Sequence, residues 1–238
     1  MNKEQYSVFW EEESNNLNSL NIYEILSKII PNGKVLEIGC GIGFGTYYLS
    51  KHHEVLSLDN NDYLIKKAKK YLDEQKINHK IHNCDLFQLT FNDKKIINQF
   101  KPNIIVGWFL GAGGNLVNKY IKNEENLSIQ VKLYREKLED IIISNDLLID
   151  SVEVINFVIR SSRLKNASNQ IIFDTQKKDY DTYVFNNVGF EVTNVEVIDW
   201  DNSNSTFPYS SIRKEEQETI PTILSITAKK IVRKESHE

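Results

Sequence analysis

The sequence predicts an α/β fold: a doubly wound, mainly parallel seven-stranded sheet that closes on a C-terminal antiparallel hairpin. Short aliphatic runs alternate with segments of helical period from residue 33 to residue 188. A glycine-rich turn follows the first of those runs directly. The last two runs, GFEVTNVEVIDW and TILSITAKKIV, have no helix between them, only a polar, insertion-like segment near residues 200–221.

Residues 17–30 set Leu17, Ile22, Ile25, Leu26, Ile29 and Ile30 at helical spacing, and the Pro31-Asn32-Gly33 turn ends that helix. Tyr6, Phe9 and Trp10 lie before it. Residues 1–32 are therefore expected to form a lid and a helix packed on the core, and residues 33–238 the main domain. KVLEIG reads as the first strand and FGTYYLSKH as the helix that returns over the sheet. EVLSLD is the second strand, ending at Asp59. The next helix buries Leu64, Ile65, Ala68, Tyr71 and Leu72, has Asn60 or Asn61 as its cap, and turns the lysines of KKAKK to solvent. HKIHNCD is the third strand, residues 92–100 a short helix, and PNIIVGWFL the fourth strand, opening into the loop GAGGN. Residues 127–142 repeat Leu127, Val131, Tyr134, Leu138, Ile141 and Ile142 with helical period; SVEVINFVI follows as a strand, and a helix-like stretch runs near residues 176–188.

Composition narrows the function classes. The 29 basic residues are scattered among 33 acidic ones, for a net charge of −4, so there is no cationic stripe of the kind duplex nucleic acid requires. A small or peptidic partner suits this balance better. Cys40 and Cys84 belong to no C-x-x-C pair, which suggests neither a disulfide framework nor a metal site and favours a reducing compartment. The N-terminus lacks an apolar signal core and no window reaches about eighteen apolar residues, so a cytoplasmic protein without a membrane partner is expected.

The motif that carries most information is Glu37-Ile38-Gly39-Cys40-Gly41-Ile42-Gly43, placed between a strand and a helix. Glycines let the backbone turn sharply and approach a ligand with no Cβ in the way, and a helix start offers unpaired N–H groups to an anion. A dinucleotide fingerprint fails here, because its last small residue falls on Phe44 in one register and on Thr46 in the other. E-x-G-x-G-x-G after a strand instead resembles the first motif of class I S-adenosylmethionine (SAM) dependent methyltransferases, and the resemblance spans residues 33–234.

That resemblance implies a site. Asp59, 20 residues beyond Gly39, resembles the family's ribose-binding acid, with Asn60 beside it. Asp85 in NCDLF resembles the acid that meets the adenine amino group, with Leu86 flanking the ring. Glu37, Gly39, Cys40, Gly41, Gly43 and Gly107 complete the expected cofactor set, and Tyr6 is expected near the SAM carboxylate. For the acceptor, Trp108 and Phe109 after the fourth strand, Trp10 in the lid, and Tyr209 and Arg213 in the insertion are the candidates. The segment Val106–Gly111 has no proline, unlike the motif of amino-methylating DNA enzymes, and no Pro-Cys dipeptide of the cytosine C5 type occurs.

No histidine lies between His82 and His237, so a histidine base of the kind hydroxyl-methylating enzymes use is disfavoured, and no other residue is singled out as catalytic. The expected function is methyl transfer from SAM to a small-molecule acceptor, leaving S-adenosylhomocysteine. The alternatives are transfer to a protein or peptide side chain, or a SAM-binding subunit without acceptor chemistry of its own.

Overall fold

The computed structural model describes residues 2–122, 124, 126–205 and 218–232. The seven strands are β1 (Lys34–Ile38), β2 (Glu54–Asp59), β3 (Lys80–Asn83), β4 (Ile104–Trp108), β5 (Val154–Leu164), β6 (Phe190–Asp199) and β7 (Thr219–Lys230). They form one sheet in the order β3-β2-β1-β4-β5-β7-β6, with the first five parallel and β7 antiparallel to both neighbours. The order reverses between β1 and β4, which opens a crevice at the carboxyl ends of those strands. Ile38 pairs with Gly107 across it, so the loops after β1 and β4 start side by side.

The helices are α1 (Lys3–Ser19), α2 (Ile22–Ile29), α3 (Phe44–Leu49), α4 (Asp62–Glu74), α5 (Phe91–Phe100), α6 (Gly114–Tyr120), α7 (Leu127–Ile142) and α8 (Asn169–Tyr180). Apolar faces of these helices pack on both sides of the sheet. One layer gathers Leu36, Ile97, Ile105, Phe157, Phe185 and Leu224. The other gathers Leu17, Leu26, Val35, Leu49, Val106 and Trp200.

Five elements differ from the sequence reading. The N-terminal segment is a 17-residue helix started by a reciprocal cap, in which Gln5 N–H donates to Asn2 Oδ1 and Asn2 N–H to Gln5 Oε1. The helix expected over residues 17–30 is two helices, broken where Asn21 takes a left-handed φ of 58°. The loop after β4 contains α6. The last helix starts at Asn169, earlier than expected, because Ser168 Oγ accepts from Ile171 N–H; it then passes through a π turn and a 3-10 turn that ends at Gly189. Strand β5 also runs to Leu164, five residues past the apolar run, because β7 pairs along its whole length.

Candidate functional site

A cavity of about 380 Å³ lies in the crevice between β1 and β4. Its floor is the glycine loop. Gly39 has a φ of +79°, and a Cβ built there would meet only Leu110, at 3.9 Å, on the cavity's far wall. Gly41, at φ +53°, is covered by Trp10, whose indole nitrogen lies 2.5 Å from where a Cβ would stand. Both positions thus require glycine, one to leave space and one to admit the ring.

Asp59, at the end of β2, is held by the backbone. Its Oδ2 accepts from Gly41 N–H at 3.0 Å and its Oδ1 from Asn61 N–H at 2.9 Å. Burial pushes its carboxyl above the usual value, and the N–H donors of Asn61, Gly41 and Asn60 oppose that shift.

Asp85 caps the 3-10 turn Leu86–Gln88, accepting from Phe87 N–H at 3.2 Å. Its other oxygen accepts from the Tyr120 hydroxyl. Tyr120 stacks on Phe87 with ring centroids 4.0 Å apart and planes 9° apart. The end of α6 and the 3-10 turn are thereby tied together at this end of the site.

Residues 35–98 match the model of a family described as a methyltransferase domain. That stretch holds β1, the glycine loop, Asp59 and Asp85. Over that stretch the chain is similar to a methyltransferase domain. Among solved structures it is similar to the cyclase SpnF, at 10% identity and a TM-score of 0.52, covering 90% of this chain and 82% of that one, a likeness of fold. A TehB-like SAM-dependent methyltransferase from Corynebacterium glutamicum shares 19% identity, with 95% and 99% of the two chains covered and a TM-score of 0.47. The magnesium protoporphyrin IX methyltransferase from Synechocystis shares 12%, with 93% and 80% covered and a TM-score of 0.47. No curated protein matches the sequence significantly.

Of the residues singled out in the sequence, Gly39, Gly41, Asp59, Asn60, Asp85, Leu86, Tyr6, Trp10, Trp108 and Phe109 all line the one cavity. Glu37, Cys40, Gly43 and Gly107 stand behind its wall. Glu37 is buried beneath the loop, where its Oε2 accepts from Thr46 Oγ1 at 2.5 Å and Ser57 Oγ at 2.6 Å; burial pushes its carboxyl up to about 7. Phe9 is 44% exposed and is not among the lining residues. Tyr209 and Arg213 lie outside the described residues.

The wall after β4 is aromatic. Phe109 takes a left-handed φ of 55°, a costly conformation for a bulky residue, and its N–H is anchored on Val158 O at 2.9 Å. Its ring sits edge-on to Tyr23 at 6.0 Å and tilted against Trp10 at 6.3 Å. The Trp108 indole donates to Asn156 Oδ1 at 2.8 Å, and Asn156 in turn donates to Ser225 and Thr227 of β7, so the sheet itself fixes this ring.

Sequence reasoning missed Lys3, Asn61, Cys84, Asn115 and Leu116 as lining residues, and it read Tyr134 and Leu138 as core only. The first group carries no periodic signal. Tyr134 and Leu138 did lie on the apolar stripe of α7, but that stripe roofs a ligand space as well as the small cluster with Val117 and Ile121. Among the described residues no histidine lines the cavity.

Proposed function

We propose that the enzyme moves the SAM methyl group to a small-molecule acceptor at a nitrogen, sulfur, carboxylate or oxygen atom, by alignment and water exclusion rather than through a histidine base. When bound, SAM supplies an electrophilic methyl carbon on a sulfonium, ready for in-line displacement.

The residues present fit that cofactor. Asp59 would accept from the vicinal ribose hydroxyls, with Asn60 beside it. Asp85 would accept from the adenine amino group, with Leu86 and Phe87 against the ring. Gly39 and Gly41 would let the amino-acid end approach the backbone, and Tyr6 would donate to its carboxylate. Glu37, Cys40, Gly43 and Gly107 support this floor from behind.

One observation carries the acceptor reading: of the lining residues not given to the cofactor, Trp10, Trp108, Phe109 and Leu110 form an aromatic and apolar wall, Asn2, Lys3 and Asn115 add polar groups, and none is a histidine or a carboxylate. Burial pushes the Tyr6 phenol above its ordinary value, so at neutral pH it donates hydrogen bonds and does not accept a proton. Aromatic faces favour a cationic or planar acceptor and exclude water around the transferring methyl. Helix α1 closes over the same space, with Lys3 Nζ donating to Asn60 O and Asn61 Nδ2 to Lys3 O at 3.2 Å, which favours a small acceptor over a nucleic acid strand. No helix among the described residues is long and apolar enough to cross a membrane; a cytoplasmic setting is part of this proposal.

The test is release of S-adenosylhomocysteine with panels of amines, thiols, carboxylic acids and phenols, followed by a pH profile on the best acceptor. Turnover with a small acceptor, limited by that acceptor's own ionisation, is expected. Turnover confined to RNA or to a folded protein, or a profile governed by an enzyme group, would overturn the reading.

A further inference from the structure

We propose that His82, Cys84 and Asp93 form a binding site for a divalent transition-metal ion of the zinc class, set between β3 and α5 on the flank of the cavity. One ligand atom from each residue lies within 4.8 Å of the others, and the three supply nitrogen, sulfur and oxygen. That mixed set is what a borderline-soft cation prefers, and a carboxylate-only cluster is not.

The three donors are held in place before any ion arrives. His82 lies in β3, paired with Leu58 of β2. Cys84 N–H donates to Asp59 O at 3.0 Å. Asp93 has one oxygen engaged, since Oδ2 accepts from Thr90 N–H at 2.8 Å and from Thr90 Oγ1 at 2.6 Å. Its other oxygen faces His82 Nε2 at 2.5 Å. Outer hydrogen bonds that orient a carboxylate while leaving one oxygen to the metal are a recurring support of such sites.

Metal–ligand bonds of about 2.0–2.3 Å put tetrahedral ligand atoms roughly 3.3–3.8 Å apart. Binding therefore opens the His82–Asp93 contact slightly and draws in the Cys84 sulfur. A neutral imidazole, a thiolate and a carboxylate together cancel the charge of a divalent ion, and a neutral cluster suits a place where Cys84 and Asp93 are each 6% exposed. The Cys84 S–H bond breaks on binding, its proton passes to solvent, and no electron is transferred. Water completes the fourth position.

The site stands next to cofactor-facing groups. Cys84 lines the cavity directly before Asp85, so a bound ion fixes the piece of wall that presents that carboxylate. The inference itself depends only on the three donors and not on the reading of the cavity.

Cobalt titration of the chelator-treated full-length protein tests it. One equivalent is expected to give the absorption of a four-coordinate thiolate-bound ion, displaced by zinc. Cys84→Ser should abolish the thiolate-to-metal band and Cys40→Ser should retain it. His82→Gln, at a partly buried strand position, should weaken binding at least about tenfold with the fold intact by circular dichroism. Absence of the band in the wild type, its survival in Cys84→Ser, or unchanged affinity in His82→Gln would overturn the proposal and leave the His82–Asp93 hydrogen bond as a purely structural tie.

Discussion

Glu37 shows how a single residue of the motif can serve a site without touching the ligand. It lies under the glycine loop, and a side chain at Gly45 would strike it, since a Cβ there comes 2.4 Å from Oε1. Burial raises its carboxyl from 4.5 to about 7 despite two hydroxyl donors. The folded state therefore holds the proton more tightly than the unfolded chain. The associated stability is fully present below about pH 4.5 and is lost as pH rises through about 7, a swing of roughly 3 kcal/mol at about 1.4 kcal/mol per unit. Glu139, raised to about 7 by burial between α7 and α8, adds to the same slope. Urea midpoints of the wild type should fall from about pH 5 to about pH 8, and Glu37→Gln should flatten that fall while keeping both hydroxyl contacts. An equal fall in the variant would show that Glu37 is not its source.

At the scale of elements, α1 decides the shape of the cavity, and it is held there by charge as well as by rings. Glu13, fully buried, accepts from Arg160 of β5 at 3.0 Å and from Ser205 Oγ at 2.8 Å, while the Arg160 guanidinium stands 5.6 Å from the Trp10 ring centre. Removing one partner strands a buried charge, which typically costs about 3–5 kcal/mol. Arg160→Met should therefore cost about 3 kcal/mol in urea unfolding, and adding Glu13→Gln should restore part of that loss. A cost below about 1 kcal/mol for Arg160→Met, or losses that simply add, would mean that α1 is held by its apolar contacts alone. The same helix was illegible in sequence for a physical reason. Its buried face is Tyr6, Ser7, Trp10, Glu13, Ser14 and Leu17, a helical spacing hidden because half of those residues are polar. By contrast α7 matches its expected span, residues 127–142, because Tyr134, Leu138 and Ile142 mark its buried side with apolar residues at helical spacing. The break at Asn21 and the short α6 each depend on a local backbone choice that hydrophobic periodicity does not encode.

For the whole molecule, the seven strands and the closing hairpin were readable because aliphatic runs, turn residues and the absence of a final helix all agreed. The strand order was not readable from periodicity; the resemblance implied it. That order matters most for function, because it sets the ends of β1, β2, β3 and β4 around one crevice and so gathers Gly39, Asp59, Asp85 and Phe109 on a single cavity. The pieces of wall supplied by Lys3, Asn115 and Tyr134 come from elements that meet only in the folded chain. The central claim is that this gathered site binds SAM. It is tested most directly by calorimetric titration with S-adenosylhomocysteine, beside an Asp59→Ala variant and with NAD as the control ligand. The account predicts one-site binding to the wild type, affinity about 10–100-fold weaker in the variant for loss of a charged hydrogen-bonding group, and no heat with NAD. Absence of S-adenosylhomocysteine binding, equal binding in the variant, or binding of NAD would contradict it.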